Sequence, residues 1–118
     1  AVIAQRLVRT TCPKCKEEVI PDKKLIAVSG ANIDGGAKFF KGKGCDACKN
    51  LGYSGRTAIF EIMFVDRDIQ EMIMAGASFT EIEAQARKSG MKTLREVAIQ
   101  KAIGGVTTLE EAIRVTPL

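Results

Sequence analysis

The sequence contains no histidine, and this absence removes the commonest general base and the commonest mixed ligand of zinc. Any zinc site must therefore use cysteines alone or cysteines with carboxylates. Tryptophan is also absent and tyrosine occurs once, so aromatic platforms that stack on nucleic acid are not indicated. The formal net charge of +4 does not by itself indicate a nucleic-acid or membrane surface.

Long apolar runs are lacking as well. No run approaches the ~18 residues that a bilayer span requires, and no segment has the composition of a signal peptide. Secretion is not indicated, and the expected compartment is a reducing cytoplasm, where paired cysteines favour metal over disulfide. The phosphate-binding pattern Gly-x4-Gly-Lys-Ser/Thr is also missing. The 118 residues fit one small domain or a part of a larger protein.

The chain has four cysteines in two pairs, Cys12 with Cys15 and Cys45 with Cys48, separated by 29 residues. Two residues between paired thiolates allow one tight turn to present both sulfurs to one ion, and two facing turns complete a tetrahedron. We predict one structural zinc ion on these four residues. A redox dithiol and an iron or iron–sulfur site are alternatives. A catalytic zinc is not expected, because four thiolates leave no position for water.

The residues beside the cysteines suit such turns. Pro13 stiffens the first turn, and Gly44 together with the Gly52–Gly55 pair permits close backbone approach around the second. The flanking cations Lys14, Lys16 and Lys49 are expected to favour the thiolate forms and to offset the negative charge of the site.

Two segments, 5–11 and 55–65, have the β-branched and aromatic composition of strands. We predict that they pair, roughly 5–11 against 55–63, so that each strand ends beside a cysteine pair. Between the cysteine pairs, Pro21 is expected to open a short helix that Gly30 closes. Residues 38–41 are expected to form a short strand, after a turn at Gly35–Gly36.

From Asp66 onward the pattern predicts about four short helices. Asp66 is expected to cap the first helix, and each of the next three begins with a hydroxyl residue three positions before a glutamate. These predicted capping boxes are Ser78–Glu81, Thr93–Glu96 and Thr108–Glu111. Gly90 and Gly104–Gly105 fit helix ends, and Pro117 is expected to stop the last helix.

The predicted fold class is α+β, with a small antiparallel strand pair and a four-cysteine zinc-clamped loop region, followed by the helices. We expect a strand-and-zinc subdomain over residues 1–65 and a helical subdomain over residues 66–118. The remaining charges have structural interpretations. The carboxylates taken as caps and exposed helix faces are Glu61, Glu81, Glu96, Glu110 and Glu111. The arginines taken as solvated strand residues, with partner contacts as the alternative, are Arg6, Arg9 and Arg56.

Four sequence blocks occur in a familiar order. The blocks are Ala4-Gln5-Arg6-Leu7-Val8-Arg9 leading into Cys12-Pro13-x-Cys15, Cys45-Asp46-x-Cys48 leading through Gly52-Tyr53-x-Gly55-Arg56-Thr57-Ala58-Ile59-Phe60-Glu61, Gly90-Met91-Lys92-Thr93-Leu94-Arg95, and Gly105 to Thr116. Together they resemble the C-terminal region of the type II secretion and type IV pilus assembly ATPases, bacterial hexameric motors. The resemblance covers nearly the whole chain, although residues 16–44 have no strong match and Glu96-Val97 departs from the expected small residue.

The resemblance implies a RecA-like ATPase domain upstream of residue 1, which would bind ATP and Mg²⁺ in the parent chain. It implies no catalytic residue within this chain, and it places the four family cysteines at Cys12, Cys15, Cys45 and Cys48. The implied partners are that upstream domain, neighbouring subunits of a hexamer and the inner-membrane platform protein. The implied location is cytoplasmic and peripheral to the bacterial inner membrane, and no nucleic acid is expected.

The abrupt apolar start at Ala1 is consistent with a fragment of a larger chain. A second function class is a freestanding zinc-ribbon-like module that binds nucleic acid or a client protein. A module that binds nucleic acid requires a concentrated basic face or stacking aromatic residues, and the composition indicates neither.

Overall fold

The structure, a computed structural model, describes residues 1–30 and 37–116. Within these residues it contains four strands and five α-helices, which confirms the predicted α+β class. The strands are β1 (Val2–Thr11), β2 (Lys16–Val19), β3 (Phe39–Gly42) and β4 (Tyr53–Met63). The helices are α1 (Lys23–Ser29), α2 (Arg67–Met74), α3 (Phe79–Lys88), α4 (Leu94–Ile103) and α5 (Leu109–Val115). None of the described helices is long and apolar enough to cross a bilayer.

Strands β1 and β4 form the predicted antiparallel pair. The register is regular from Val2 opposite Met63 to Arg9 opposite Arg56, and it then shifts before Thr11. An extra residue on one strand increases the local twist, so the ribbon bends where both strands approach the cysteine pairs. β1 begins three residues before the predicted segment 5–11, and β4 is shifted by two residues towards the N-terminus relative to the predicted segment 55–65.

A second, smaller sheet lies between the cysteine pairs. Strand β2 pairs antiparallel with β3, and Lys16 lies opposite Gly42. β3 overlaps the strand predicted at residues 38–41. β2 is absent from the sequence prediction because its Lys-Glu-Glu-Val composition is charged, and charged runs are not typical of strands.

Gly30 follows the last residue of helix α1 with a left-handed φ of +67°, which confirms that this glycine closes the helix. The predicted start at Pro21 is wrong by two residues. Asp22 caps the helix instead, because its carboxylate accepts the Lys24 N–H at 2.9 Å. The turn predicted at Gly35–Gly36 lies outside the described residues.

All four predicted caps of the later helices are confirmed. The side chains of Asp66, Ser78, Thr93 and Thr108 each accept the N–H of the residue three positions later. For these three helices the structure describes the bond from the glutamate N–H to the cap side chain and no return bond from the glutamate side chain to the cap N–H. Glu96 instead contacts Arg87 at 2.6 Å, and Glu111 bonds to two arginines. Pro117 lies outside the described residues.

One main apolar cluster joins the strands to the last two helices. It contains Val8, Phe39, Ile59, Ala98, Ile99, Ala102, Leu109 and Ala112. Helices α4 and α5 pack on the face of the ribbon that carries Val8 and Ile59, while α2 and α3 pack on each other. The division at residue 65 stays a prediction, and the core contains side chains from both sides of it.

Candidate metal centre

The structure brings all four predicted cysteines together. The sulfurs of Cys12 and Cys45 lie 3.8 Å apart, those of Cys15 and Cys48 3.8 Å apart, and those of Cys45 and Cys48 3.6 Å apart. All four lie within 4.8 Å of one another. Four sulfurs placed about 2.3 Å from one central ion at tetrahedral angles would be separated by about 3.8 Å. The cluster could therefore hold one metal ion.

The backbone around the second pair forms a tight turn. A single 3₁₀ turn spans Asp46–Cys48, and the next two residues, Lys49 and Asn50, have φ values of +56° and +62°. The Asn50 N–H returns to the Cys45 carbonyl at 2.8 Å. This loop folds Cys48 back beside Cys45, so that both sulfurs face the first pair.

A close crossing of two glycines joins the two halves of the site. A Cβ atom at Gly42 would lie 2.3 Å from the Gly52 carbonyl oxygen, and a Cβ at Gly52 would lie 2.5 Å from the Gly42 oxygen. Gly52 also accepts the Cys12 N–H at 2.9 Å through its carbonyl. The end of β3 thus passes directly over the segment that follows Cys48, and side chains at the crossing would push the segments apart.

Backbone donors surround one sulfur in particular. Cys48 Sγ accepts the N–H groups of Cys45 and Gly52, each at 3.3 Å. Burial of Cys48 acts to raise its pKa, but these two N–H groups, together with hydrogen bonds from the Cys45 and Cys15 side chains, lower the pKa to about 6. Desolvation raises the pKa of Cys15 to about 12. A bound cation would remove this difference, because a coordinating thiol is deprotonated outright.

Three of the four cysteines are buried, and Cys45 is half-buried. Sulfurs that are buried and held by backbone bonds suit a structural ion, because four protein ligands leave no position open to substrate. Of the lysines predicted to flank the site, Lys16 extends towards the α4–α5 loop. The Lys16 ammonium donates to the Gly105 carbonyl at 3.4 Å and lies 5.7 Å from the Phe40 ring centre.

A buried carboxylate with two partly exposed arginine partners is a feature that sequence reasoning missed. The Glu111 carboxylate accepts the Arg9 N–H at 2.9 Å, the Arg9 guanidinium at 3.1 Å, and the Arg114 guanidinium at 2.7 and 2.9 Å. The bond from Arg114 is the largest cause of a Glu111 pKa lowered to about 2, against an opposing effect of burial. The same pair raises the pKa of Arg114.

Two interpretations of charged residues are therefore wrong. Glu111 is 1% exposed and is not part of an exposed helix face. Arg9 is not merely solvated, since it bonds to Glu111 and lies 4.2 Å from the centre of the Tyr53 ring. The sequence pattern of α5 could have indicated both the burial and the ion pair of Glu111. This residue lies between Leu109 and Ala112, which are buried, and it precedes Arg114 by three residues, a spacing at which helix side chains meet.

Hydrogen bonds from the α4–α5 loop attach it to both strand ends beside the cysteines. On β1, Thr107 Oγ1 donates to the Arg9 carbonyl at 2.7 Å, and Thr11 donates its N–H to Val106 at 2.9 Å. On β4, the Tyr53 hydroxyl and Thr108 Oγ1 lie 2.6 Å apart. The two strand ends that lead to the metal centre are therefore held by one loop.

A buried cation, Arg95, was also missed. Its guanidinium donates to the carbonyls of Val28 at 2.9 Å and Ser29 at 3.2 Å, and its Nε donates to the Thr116 carbonyl at 2.9 Å. These carbonyls belong to the ends of α1 and α5. Arg95 thus joins the segment between the cysteine pairs to the end of the last helix.

Comparison with known proteins gives consistent matches. The family model described as Type II/IV secretion system protein matches residues 1–114. The type IV pilus assembly ATPase PilB of Thermus thermophilus is 50% identical over 115 residues, which are 95% of this chain and 13% of that protein. PilB of Pseudomonas aeruginosa is 41% identical over 117 residues, which are 98% of this chain and 20% of that protein.

The type II secretion system ATPase E of Vibrio cholerae is 37% identical over 115 residues, covering 98% of this chain and 23% of that protein. The chain therefore spans between 13% and 23% of the length of these three relatives. The family match runs through both cysteine pairs and the loop that joins them to the last helix, so the chain belongs to the type II/IV secretion system protein family.

Proposed function

We propose that this chain is the zinc-binding structural and interaction region of a hexameric ATPase that powers type II secretion or type IV pilus assembly. The observation that carries the proposal is the convergence of four sulfurs at tetrahedral spacing inside a family match that covers residues 1–114. Zinc is the metal we propose, because a closed four-thiolate set without other ligand types is typical of structural zinc.

The isolated chain is proposed to have no catalytic activity. ATP and Mg²⁺ would bind elsewhere in the parent chain, in the RecA-like domain that the resemblance implies. Support comes from the relatives, which are named as ATPases and are several times longer than this chain. The sequence itself has no phosphate-binding loop. The proposed partners are that ATPase domain, neighbouring subunits of the hexamer and the inner-membrane platform protein.

We propose that the zinc ion makes this region stiff enough to transmit movement. The ion would tie together the ends of β1 and β4, and the α4–α5 loop already bonds to the same ends through Thr107, Thr108 and Val106. A metal clamp also removes the freedom of the 29 residues between the cysteine pairs. Movements of an ATPase ring would then reach a platform protein at the cytoplasmic face of the inner membrane with little loss in flexible loops.

The test is Cys45→Ser in the full-length parent motor, with ATP hydrolysis and secretion or pilus output measured on the same variant. Three ligands would remain, so zinc binding should weaken. Hydrolysis should be largely kept, because the ATPase domain is a separate part of the chain, while output should fall much further. Ala47→Ser, an exposed position in the same turn, is the matched control and should leave both unchanged.

Two outcomes would contradict the proposal. Hydrolysis and output falling in equal proportion would mean that the clamp supports the catalytic ring itself. No change in either, with zinc lost, would mean that the metal serves only local packing. No observation favours the alternative of a freestanding nucleic-acid or client-binding module.

A further inference from the structure

The four cysteines of the metal centre differ in their access to solvent. Cys12, Cys15 and Cys48 are only 1%, 5% and 4% exposed. Cys45 is half-buried, and residues 46–47, which follow it in the turn, are exposed. Reactive cysteines in proteins are those that are at least partly exposed, whereas fully buried ones are inert. Cys45 is therefore the cysteine of this centre that a small solute reaches first.

A second cysteine lies beside Cys45 in the same turn. The Cys45 sulfur is 3.6 Å from that of Cys48 and 3.8 Å from that of Cys12. A disulfide requires about 2.05 Å, so a small movement would bring either pair to bonding distance. Cys48 stays next to Cys45 because one 3₁₀ turn joins them and the Cys45 N–H donates to the Cys48 sulfur at 3.3 Å. Cys12 belongs to the other half of the site, 33 positions away. Cys48 is therefore the better disulfide partner.

We propose that Cys45 is an oxidation site, at which a hydroperoxide converts Cys45 and Cys48 of the zinc-loaded centre into a disulfide. This rests on the proposed function, in which the four cysteines bind a structural zinc ion. A thiol that coordinates a metal is deprotonated outright, and the thiolate is the form of cysteine that attacks electrophiles. The loaded centre would thus hold a ready nucleophile at the half-exposed Cys45 and a second one 3.6 Å away at Cys48.

The reaction has two steps. In the first, the Cys45 thiolate attacks one oxygen of the peroxide and the O–O bond breaks, which leaves a sulfenic acid on Cys45 and releases hydroxide. In the second, the Cys48 thiolate attacks the sulfenic sulfur, the S–S bond forms, the S–O bond breaks and a second hydroxide is released. Both hydroxides take protons from solvent and become water. The two sulfurs lose two electrons, which the peroxide gains, and the zinc ion keeps its oxidation state.

This disulfide would open the metal clamp. It consumes both ligands that precede β4, so only Cys12 and Cys15 would remain for a site that requires four. A Cys12–Cys45 disulfide would have the opposite effect, because it would join the two halves of the site covalently. Thiol reductants reverse a disulfide, so the clamp would close again after reduction in the presence of zinc. In the parent motor, oxidation at Cys45 would thus interrupt the transmission of movement and leave the ATPase domain unmodified.

The test is the addition of hydrogen peroxide, below one equivalent, to the zinc-loaded parent protein. A chromogenic chelator measures the zinc released, against an untreated sample, and mass spectrometry maps the disulfides. We expect one Zn²⁺ released per Cys45–Cys48 disulfide, with Cys12 and Cys15 recovered as free thiols. Brief alkylation of unoxidised protein by iodoacetamide should label Cys45 at least about tenfold faster than the other three cysteines. Dithiothreitol with added zinc should restore the original zinc content.

A matched pair of variants in the parent protein separates the exposed ligand from a buried one. Cys45→His and Cys12→His each leave three cysteines and one histidine, a ligand set that is also typical of structural zinc. Cys45→His removes the oxidation site, so peroxide should release zinc at least about tenfold more slowly than from the unmodified parent. Cys12→His keeps Cys45 and Cys48, so its release rate should stay close to that of the unmodified parent. Disulfide mapping in the unmodified parent decides the proposal even if a variant fails to bind zinc.

Three results would overturn the proposal. The first is zinc release that accompanies a Cys12–Cys15 or Cys12–Cys45 disulfide. The second is alkylation that labels all four cysteines at one rate, and the third is equal sensitivity of the two histidine variants to peroxide. Each of these results requires a parent protein that contains zinc, so each would leave the proposed function intact. A parent protein purified without zinc would instead contradict the proposed function itself.

Discussion

The Glu111 carboxylate accepts two hydrogen bonds from Arg9, one from the backbone N–H and one from the guanidinium, although 102 positions separate the two residues. Arg9 lies three residues before the first cysteine, and Glu111 lies in the last helix. The backbone bond fixes the edge of β1 at this position, and the side-chain bond neutralises part of a carboxylate that is buried from water. The position of α5 and the path of β1 into the metal centre therefore depend on each other.

Glu111→Gln should lower stability in a pH-dependent way. The folded-state pKa of Glu111 is lowered from 4.5 to about 2, so its contribution is complete above about pH 4.5 and is lost as the pH falls towards 2. We expect a difference in the free energy of unfolding of about 2 kcal/mol near pH 7, limited by the partial exposure of both arginines. Denaturant unfolding of both chains at several pH values measures it.

Acid also displaces metal from thiolates, and titrating the two chains in parallel cancels that effect. A difference that stays constant from pH 7 to pH 2 would show that the charge of Glu111 does not matter.

Gly52→Ala should disrupt the metal centre, because its Cβ would lie 2.5 Å from the Gly42 carbonyl oxygen at a φ of +80°. We expect the free energy of unfolding to fall by at least about 3 kcal/mol and the affinity for zinc to weaken. Gly76→Ala is the matched control, since its φ is +74° and no atom lies within 4 Å of the new Cβ. The control should lower the free energy of unfolding by about 1 kcal/mol and leave the zinc affinity unchanged. Competition with a chromogenic chelator measures the zinc affinity. Equal affinities in the two variants would rule out the crossing as a determinant of the site.

Metal removal should act unevenly along the chain. We expect one Zn²⁺ per chain after purification without chelator, since binding to structural sites contributes on the order of 10 kcal/mol at neutral pH. Chelation should disorder residues 12–50 more than residues 66–115, and amide exchange before and after chelation measures this. Metal analysis that finds no zinc, or mass spectrometry that finds cysteine–cysteine bonds in freshly reduced protein, would contradict the prediction.

Arg95→Met should loosen α1 without affecting the metal. The substitution leaves the carbonyls of Val28, Ser29 and Thr116 without their donor, and we expect a cost of about 2–3 kcal/mol. Faster amide exchange in α1 with unchanged zinc content is the expected signature. The matched control is Arg56→Met, at an exposed position, which should change neither the amide exchange of α1 nor the zinc content. Unfolding free energies of the two variants that agree within about 0.5 kcal/mol would refute the role of Arg95.

The features that the sequence predicted depend on local signals. Caps such as Asp66 and Thr93 are read from residues three positions apart, and the two long strands from their β-branched composition. The cysteine cluster was also predictable, because a paired spacing constrains each turn before the tertiary structure is known. The ribbon, the starts of the four later helices and the convergence of the four sulfurs therefore agree with expectation, whereas the start of α1 does not.

The missed features depend on contacts between distant parts of the chain. The Arg9–Glu111 and Arg95–Val28 contacts join residues that sequence spacing cannot relate. Strand β2 has little β propensity, and its pairing with β3 is set by the turns at the cysteines. Close backbone approach at Gly52 was predictable from the sequence, but only the fold shows that the segment it meets is the end of β3 at Gly42.

The position of the cysteines at one end of the β1–β4 ribbon has a mechanical consequence. At that end the strands run into the cysteine pairs, whereas the part of the chain that the structure describes places no metal-ligand cluster at the ends at Val2 and Met63. With an ion bound, thermal fraying would have to begin at Val2 and Met63 and proceed towards the metal. A pulling force applied across those two residues would unzip the ladder one pair at a time, and a force along the strands would shear all pairs together. The ribbon would then yield to small loads in the first direction and resist much larger ones in the second.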